Sequence, residues 1–224
     1  SWRRAETSGS SCRRRRLRDC VSSPQLVAVL ERAQTLGHIG SGPIREYVEH
    51  ARAHLTVADP GFSTRWCDLG SGGGLPGLVI AVERPDLKLT LMDRSASRTA
   101  FLEDALTVLE LTSNVDVVNG DVTELAHEDR FRGVFNGVFS RSFGPPAATA
   151  ECSVGFLMKK GQLVVSEPPA PNPHRWPLRE VQSLGYADVE VIEGPPRFAQ
   201  LVLATPPGPE IPRTWKHITK YPLF

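Results

Sequence analysis

Residues Cys67-Asp68-Leu69-Gly70-Ser71-Gly72-Gly73-Gly74-Leu75-Pro76-Gly77 include five glycines. Glycine loses more backbone freedom on folding than any other residue, so such a run belongs where side chains would obstruct a turn or a ligand. The residues before it, Arg65 to Leu69, read as a short strand. Those after it, Pro76 to Glu83, read as a helix. A glycine turn between a strand and a helix confines the chain to α/β folds that bind a ligand at that turn. Gly72-x-Gly74-x-x-Gly77 satisfies the dinucleotide fingerprint by letter. Two ligand classes suit such a turn, a dinucleotide or S-adenosylmethionine, and the flanking residues must choose.

The rest of the chain extends the pattern. Two helices are expected first, from Pro24 to Gly37 and from about Pro43 to Leu55. Leu87 to Asp93 alternates apolar and polar residues as a second strand. Ser95 to Leu111 is a helix, Val115 to Val118 a third strand and Gly133 to Ser140 a fourth. Pro145 to Met158 is expected to be helical and to stop at Lys159-Lys160-Gly161, before a fifth strand at Leu163 to Val165. His174 to Leu184 reads as a helix. Ala187 to Ile192 and Phe198 to Ala204 have no room for a helix between them and pair as a hairpin around Glu193-Gly194-Pro195-Pro196. Repeated βα units specify a parallel sheet covered on both faces. A terminal antiparallel hairpin is the usual ending of the Rossmann-like fold of class I S-adenosylmethionine-dependent methyltransferases.

The flanks of the glycine turn favour S-adenosylmethionine over a dinucleotide. A pyrophosphate would sit on the helix N-terminus, and Asp68, two residues before Gly70, would repel it. S-adenosylmethionine carries an ammonium that a carboxylate at Asp68 suits, and its carboxylate can approach the glycine amides, including Gly72. Asp68 as a cap of the following turn is the alternative. Asp93 ends the second strand, where an acid meets a ribose diol in either ligand class, or caps the next helix. Asp121 follows the third strand, where an adenine edge would lie, with helix capping again the alternative. Arg141 follows the fourth strand at the same rim, placed for a cofactor carboxylate, an RNA phosphate or a surface ion pair.

Composition sets the outer limits. The chain of 224 residues suits one methyltransferase domain over 24–224, with N-terminal helices at 24–62 and a basic tail at 209–224. Its net charge of +1 hides an uneven distribution: residues 1–20 hold seven arginines against Glu6 and Asp19, leaving 19 basic and 23 acidic residues beyond them. Residues 1–23 read as a basic disordered arm, able to hold RNA phosphates or simply a flexible leader. No apolar run approaches the roughly 18 residues of a membrane span. Cys12, Cys20, Cys67 and Cys152 lack metal spacing and read as reduced thiols of a cytoplasmic protein without a metal.

The segment DLGSGGGLPGLVIAVERPDLKLTLMDRSASRTAFLEDALTVLEL resembles the glucose-inhibited division protein B (RsmG) family of 16S rRNA guanine-N7 methyltransferases. The marks of that family are Gly-Leu-Pro-Gly ending at Gly77, Arg84-Pro85, Asp93, and Arg98 with Phe101-Leu102. Ser140-Arg141-Ser142-Phe143 and the ending Ile211-Pro212-Arg213 through Lys220-Tyr221-Pro222-Leu223 add to it. The resemblance runs from about Pro24 to Phe224. It implies a seven-stranded, mostly parallel sheet, S-adenosylmethionine as cofactor, and 16S rRNA or a small ribosomal subunit precursor as partner of a monomeric enzyme. It implies cofactor contacts at Gly70, Leu75, Val122 and Thr123, and a cofactor or substrate contact at Arg141.

The chain also departs from the family. Thr123 stands where the family has glutamate, and Glu167-Pro168 replaces a Lys-Gly near the expected RNA entrance. Guanine N7 offers a free lone pair and loses no proton on attack, so its methylation requires alignment rather than a general base. The sequence accordingly names no catalytic residue. Arg141 is the substrate-side candidate, and Arg213, Lys216 and Lys220 could hold phosphates. A same-fold methyltransferase acting on another RNA or a small molecule, or a non-catalytic RNA-binding protein that keeps the pocket, are the alternatives.

Overall fold

A computed structural model describes residues 23–224; the arginine-rich arm, with Cys12 and Cys20, lies outside the described residues. Two helices, α1 (Pro24–Thr35) and α2 (Ile44–Ala58), precede the sheet. Ser23 caps α1, its hydroxyl accepting from the Leu26 amide, and Pro24 takes the first helical position, where no amide donor is needed. The chain then alternates through β1 (Arg65–Leu69), α3 (Gly77–Glu83), β2 (Lys88–Asp93), α4 (Ala96–Val108), β3 (Val115–Asn119), α5 (Val122–Leu125), β4 (Phe135–Ser140), α6 (Pro146–Val154) and β5 (Leu157–Glu167). After α7 (Leu178–Ser183) come β6 (Tyr186–Ile192), β7 (Arg197–Leu203) and α8 (Trp215–Lys220).

The seven strands form one sheet in the order β3-β2-β1-β4-β5-β7-β6. The first five run parallel, and β7 pairs antiparallel with both β5 and β6. Strand alternation separates two cores. Trp66, Leu89, Leu91, Phe139 and Val164 face α1 to α4, whereas Cys67, Leu69, Met92, Val138 and Leu163 face the helices that follow β3. Strand order reverses between β1 and β4, which are neighbours with Leu69 beside Ser140. Ligands of open α/β sheets bind in the crevice that such a reversal opens at the carboxyl ends of the strands. The glycine turn and the Arg141 segment therefore leave the sheet side by side.

Two elements differ from the sequence expectation. The sixth helix ends at Val154, and residues 157–158, expected to close that helix, belong with 159–160 to β5. Phe135 of β4 pairs with Leu157 while Gly137 pairs with Gln162, so the intervening residues bulge outward, with Lys160 at φ 68°. Leu157 and Met158 continue the helical pattern by propensity; pairing of Leu157 to β4, with a bulge after it, overrides that preference. The helix expected from His174 begins only at Leu178. Pro177 disfavours helical geometry at Trp176, and the Trp176 indole is instead drawn to Glu167, its Nε1 donating at 3.0 Å.

Candidate functional site

Asp93 at the end of β2 organises the glycine turn. Its Oδ2 accepts from the Gly72 amide at 2.9 Å and its Oδ1 from the Ser95 amide at 2.9 Å. Arg98, one turn into α4, stands 3.7 Å from the same carboxylate, which is buried. Gly70 has φ 72°, and a Cβ there would come within 2.7 Å of the Phe143 ring. Only glycine meets both constraints. Gly72, at φ 55°, needs glycine for its backbone, but a Cβ there would face the His38 carbonyl at 3.6 Å. Gly72 thus acts through its amide on Asp93.

Asp68 lies one layer deeper and is 1% exposed. Its Oδ2 accepts from the Gly77 amide at 3.0 Å, at the first residue of α3. The capping alternative is therefore realised. Its Oδ1, however, is buried without a hydrogen-bond partner. Burial raises the Asp68 carboxyl to about 7, opposed by the Gly77 amide and, more weakly, by Arg141.

Gly70, Asp93, Asp121 and Val122 line one cavity of about 170 Å³ at the carboxyl ends of β1 to β3. Asp121 caps α5, its Oδ1 accepting from both the amide and the hydroxyl of Thr123, at 2.8 and 2.7 Å. Thr123 itself opens on a neighbouring cavity shared with Asp121 and His127. Leu75 is buried in the core beside the turn. The structure thus brings four of the sequence candidates to one wall and places Asp68, Gly72, Leu75, Thr123 and Arg141 around it. Arg94, Phe143 and Trp215 also line the cavity. No cofactor-contact signal marks them in the sequence. Arg94 could have been inferred from its place just after a β2 acid, but Trp215 arrives from a distant segment.

Arg141 opens on another cavity, of about 280 Å³, between the ends of β4 and β5. Its guanidinium lies 4.8 Å from the centre of the Tyr47 ring, and no ion pair to it occurs among the described residues. Burial lowers its pKa from the ordinary value. Beside it the Ser140 hydroxyl is buried without a partner. His50 reaches the same cavity from α2, its Nε2 2.9 Å from Ser166 Oγ, which is 3.1 Å from His54 Nε2. Burial, reinforced by Arg141, lowers His50 to about 4, so its imidazole is neutral at pH 7. Nothing in the sequence marks His50, because α2 is remote from every motif.

Two residues have partners that the sequence did not suggest. Glu167 is buried and accepts from Arg175 at 3.0 Å and from Trp176; its charge is neutralised within the fold, and it presents no bare acid at the entrance. Arg213 is clamped to the buried Glu151 by Nε and Nη2, each at 2.7 Å, so it holds the tail in place and is not available to a phosphate. Among the described residues no cluster of His, Cys, Asp or Glu could hold a metal ion, and no helix is long and apolar enough to cross a membrane.

Comparison with known proteins places this site in context. A solved S-adenosylmethionine-dependent O-methyltransferase from Thermotoga maritima superimposes with a TM-score of 0.61 at 15% identity, covering 79% of this chain and 71% of that one. At that identity the likeness establishes the fold, that of the class I S-adenosylmethionine-dependent methyltransferases. Ribosomal RNA small subunit methyltransferase G of Mycobacterium marinum is 36% identical over 129 residues, 57% of this chain and 55% of that protein. Its namesake from Salinispora tropica is 56% identical over 59 residues, 26% of this chain and 24% of that protein. The chain thus spans about half the length, or less, of these curated relatives. The family model for rRNA small subunit methyltransferase G matches residues 48–167, which take in Asp93, Arg141 and every strand from β1 to β5. Matched over more than half its length, the chain belongs to the rRNA small subunit methyltransferase G family.

Proposed function

We propose that this chain is an S-adenosylmethionine-dependent methyltransferase that modifies guanine N7 of 16S rRNA, in the cytoplasm and as a monomer. One observation carries the cofactor assignment: a buried carboxylate, Asp93, is fixed by the turn amide of Gly72 and shares a cavity with Gly70, Asp121 and Val122. That is the arrangement an adenosine group needs, with an acid for the ribose diol and a backbone segment for the adenine edge. The unpartnered Asp68 oxygen beside the turn suits an ammonium and would repel a pyrophosphate. The residues present therefore fit the cofactor. When bound, it supplies an activated methyl group on a sulfonium.

The chain's own residues then have three tasks. Asp93, Asp121 and the glycine turn orient the nucleoside. The Arg141 cavity, at the adjoining strand ends, receives the target nucleotide, with Arg141 placed for a phosphate. His50 stays neutral. Methylation at N7 leaves the guanine ring cationic, and a neutral imidazole beside it avoids a repulsion that an imidazolium would impose. No residue need remove a proton.

Calorimetry with S-adenosylhomocysteine and with NAD tests the cofactor. Saturable binding of the first and none of the second is expected, and the reverse would overturn the assignment. Nucleoside mass spectrometry of 16S rRNA incubated with the protein and labelled S-adenosylmethionine tests the substrate. Label in 7-methylguanosine is expected. Label elsewhere, or only in a small molecule, would redirect the assignment to another substrate.

A further inference from the structure

The C-terminal segment crosses the carboxyl ends of the strands and is fastened on both sides of Trp215. Before it, the Pro212 carbonyl faces His127 Nε2 at 2.8 Å, the Ile211 carbonyl accepts from Arg132 at 2.9 Å, and Arg213 is clamped to Glu151. After it, Ile218 is buried in the core. A segment tied this firmly fixes the position of what lies between its ties. Trp215 nevertheless remains partly exposed. Its indole meets Phe143 edge-to-face at 5.6 Å between centroids, and Phe143 in turn covers Gly70. The exposed part of the ring lines the cavity that holds Asp93, Asp121 and Val122, and also the neighbouring cavity beside Thr123.

We infer that Trp215 is a cofactor-contacting residue whose indole forms the aromatic wall against which the adenine of S-adenosylmethionine stacks. The inference rests on the cofactor reading above and adds a residue from outside the stretch matched by the family model. Strand ends and the Asp93 and Asp121 carboxylates supply the polar edge contacts of a nucleoside. A flat heteroaromatic base also needs an apolar face, and the Trp215 indole is the larger of the two aromatic rings lining this cavity, the other being Phe143. Aromatic stacking does not depend on which base is present, so the wall contributes affinity while Asp121 and the Val122 backbone supply selectivity.

The test uses the full chain, with S-adenosylhomocysteine as probe and no RNA. Trp215→Phe keeps an aromatic face; Trp215→Leu keeps apolar bulk without one. By calorimetry, Trp215→Phe should bind within about threefold of wild type, and Trp215→Leu about tenfold more weakly, on the scale of a lost base stack. Saturating ligand should change the tryptophan emission of the wild type, and the change should vanish in Trp215→Phe although that variant still binds. Of the other three tryptophans, Trp66 and Trp176 are buried elsewhere and Trp2 lies outside the described residues; all three remain in Trp215→Phe, so any emission change they report would persist in that variant. Equal affinity of the Leu variant, or wild-type emission that ignores saturating ligand, overturns the inference and leaves Trp215 as packing for the tail or a surface for an RNA base. Should Trp215→Leu fail to fold, the emission test on wild type and Trp215→Phe decides alone. A wild type that binds no S-adenosylhomocysteine defeats the cofactor reading itself, a result distinct from failure of the wall.

Discussion

Asp68 shows how a single residue can be unfavourable to the ligand-free fold and useful to the site. Its carboxyl is raised to about 7 because burial disfavours the charged form and one oxygen has no partner. A folded-state value above the unfolded one means that the folded chain holds an extra proton between about pH 4 and 7. The stability this proton provides is fully present below the lower value and is lost as pH rises through the higher, by at most about 1.4 kcal/mol per pH unit. Asp68→Asn keeps an acceptor for the Gly77 amide and removes the charge. Denaturant unfolding of the ligand-free protein should therefore show the variant more stable than wild type at pH 8, with the gap closing toward pH 4. Its affinity for S-adenosylhomocysteine at pH 8 should fall, since the ammonium loses its counter-charge. A gap that does not change with pH would show that Asp68 is not the titrating group.

Between elements, the buried ion pair Arg213–Glu151 ties the C-terminal segment to α6. Removing one partner leaves the other charged and without compensation in the interior. Arg213→Ala should cost about 3–5 kcal/mol in chemical denaturation. Adding Glu151→Gln should recover much of that loss, because no buried charge then remains. The double variant should still bind S-adenosylhomocysteine more weakly than wild type if the tie positions Trp215. Full recovery of stability and affinity together would mean that the clamp has no positioning role. A comparable tie joins α2 to β5, where Ser166 stands between His50 and His54. Through it, α2 carries His50 to the Arg141 cavity, far from its place in the sequence.

Over the whole molecule, charge is distributed unevenly: residues 1–20 carry seven arginines, while the chain beyond them has 19 basic and 23 acidic residues. An RNA substrate must then be held by a few cations. Arg213 and Arg175 are engaged by Glu151 and Glu167; Arg141, Lys216, Lys220 and the arm are the remaining candidates among those the sequence suggests. Binding of a 16S rRNA fragment should weaken with salt along a shallow slope. Deleting residues 1–20 should reduce that slope by about 0.7 for each arginine that had neutralised a single-strand phosphate. An unchanged slope would remove the arm from the RNA surface.

The sequence by itself determined the order of strands β1 to β4 and of helices α1 to α4, the terminal hairpin, and the place of the glycine turn. These depend on local periodicity and on backbone demands that one or two residues express. Gly70 must be glycine wherever its turn folds, and Asp93 must follow β2. The fate of residues 157–158 was not legible, because strand pairing with β4 outweighed a local helical preference. Nor was the true role of Glu167 or Arg213, whose partners are set by the packing of separate elements. The cavity around Arg141 required α2 to place His50 beside β5, and the cavity around Asp93 required the tail to return over the strand ends with Trp215. Tertiary structure alone decided these arrangements, because a cavity wall is a relation between segments, and no segment encodes in its own periodicity which other segment it will face.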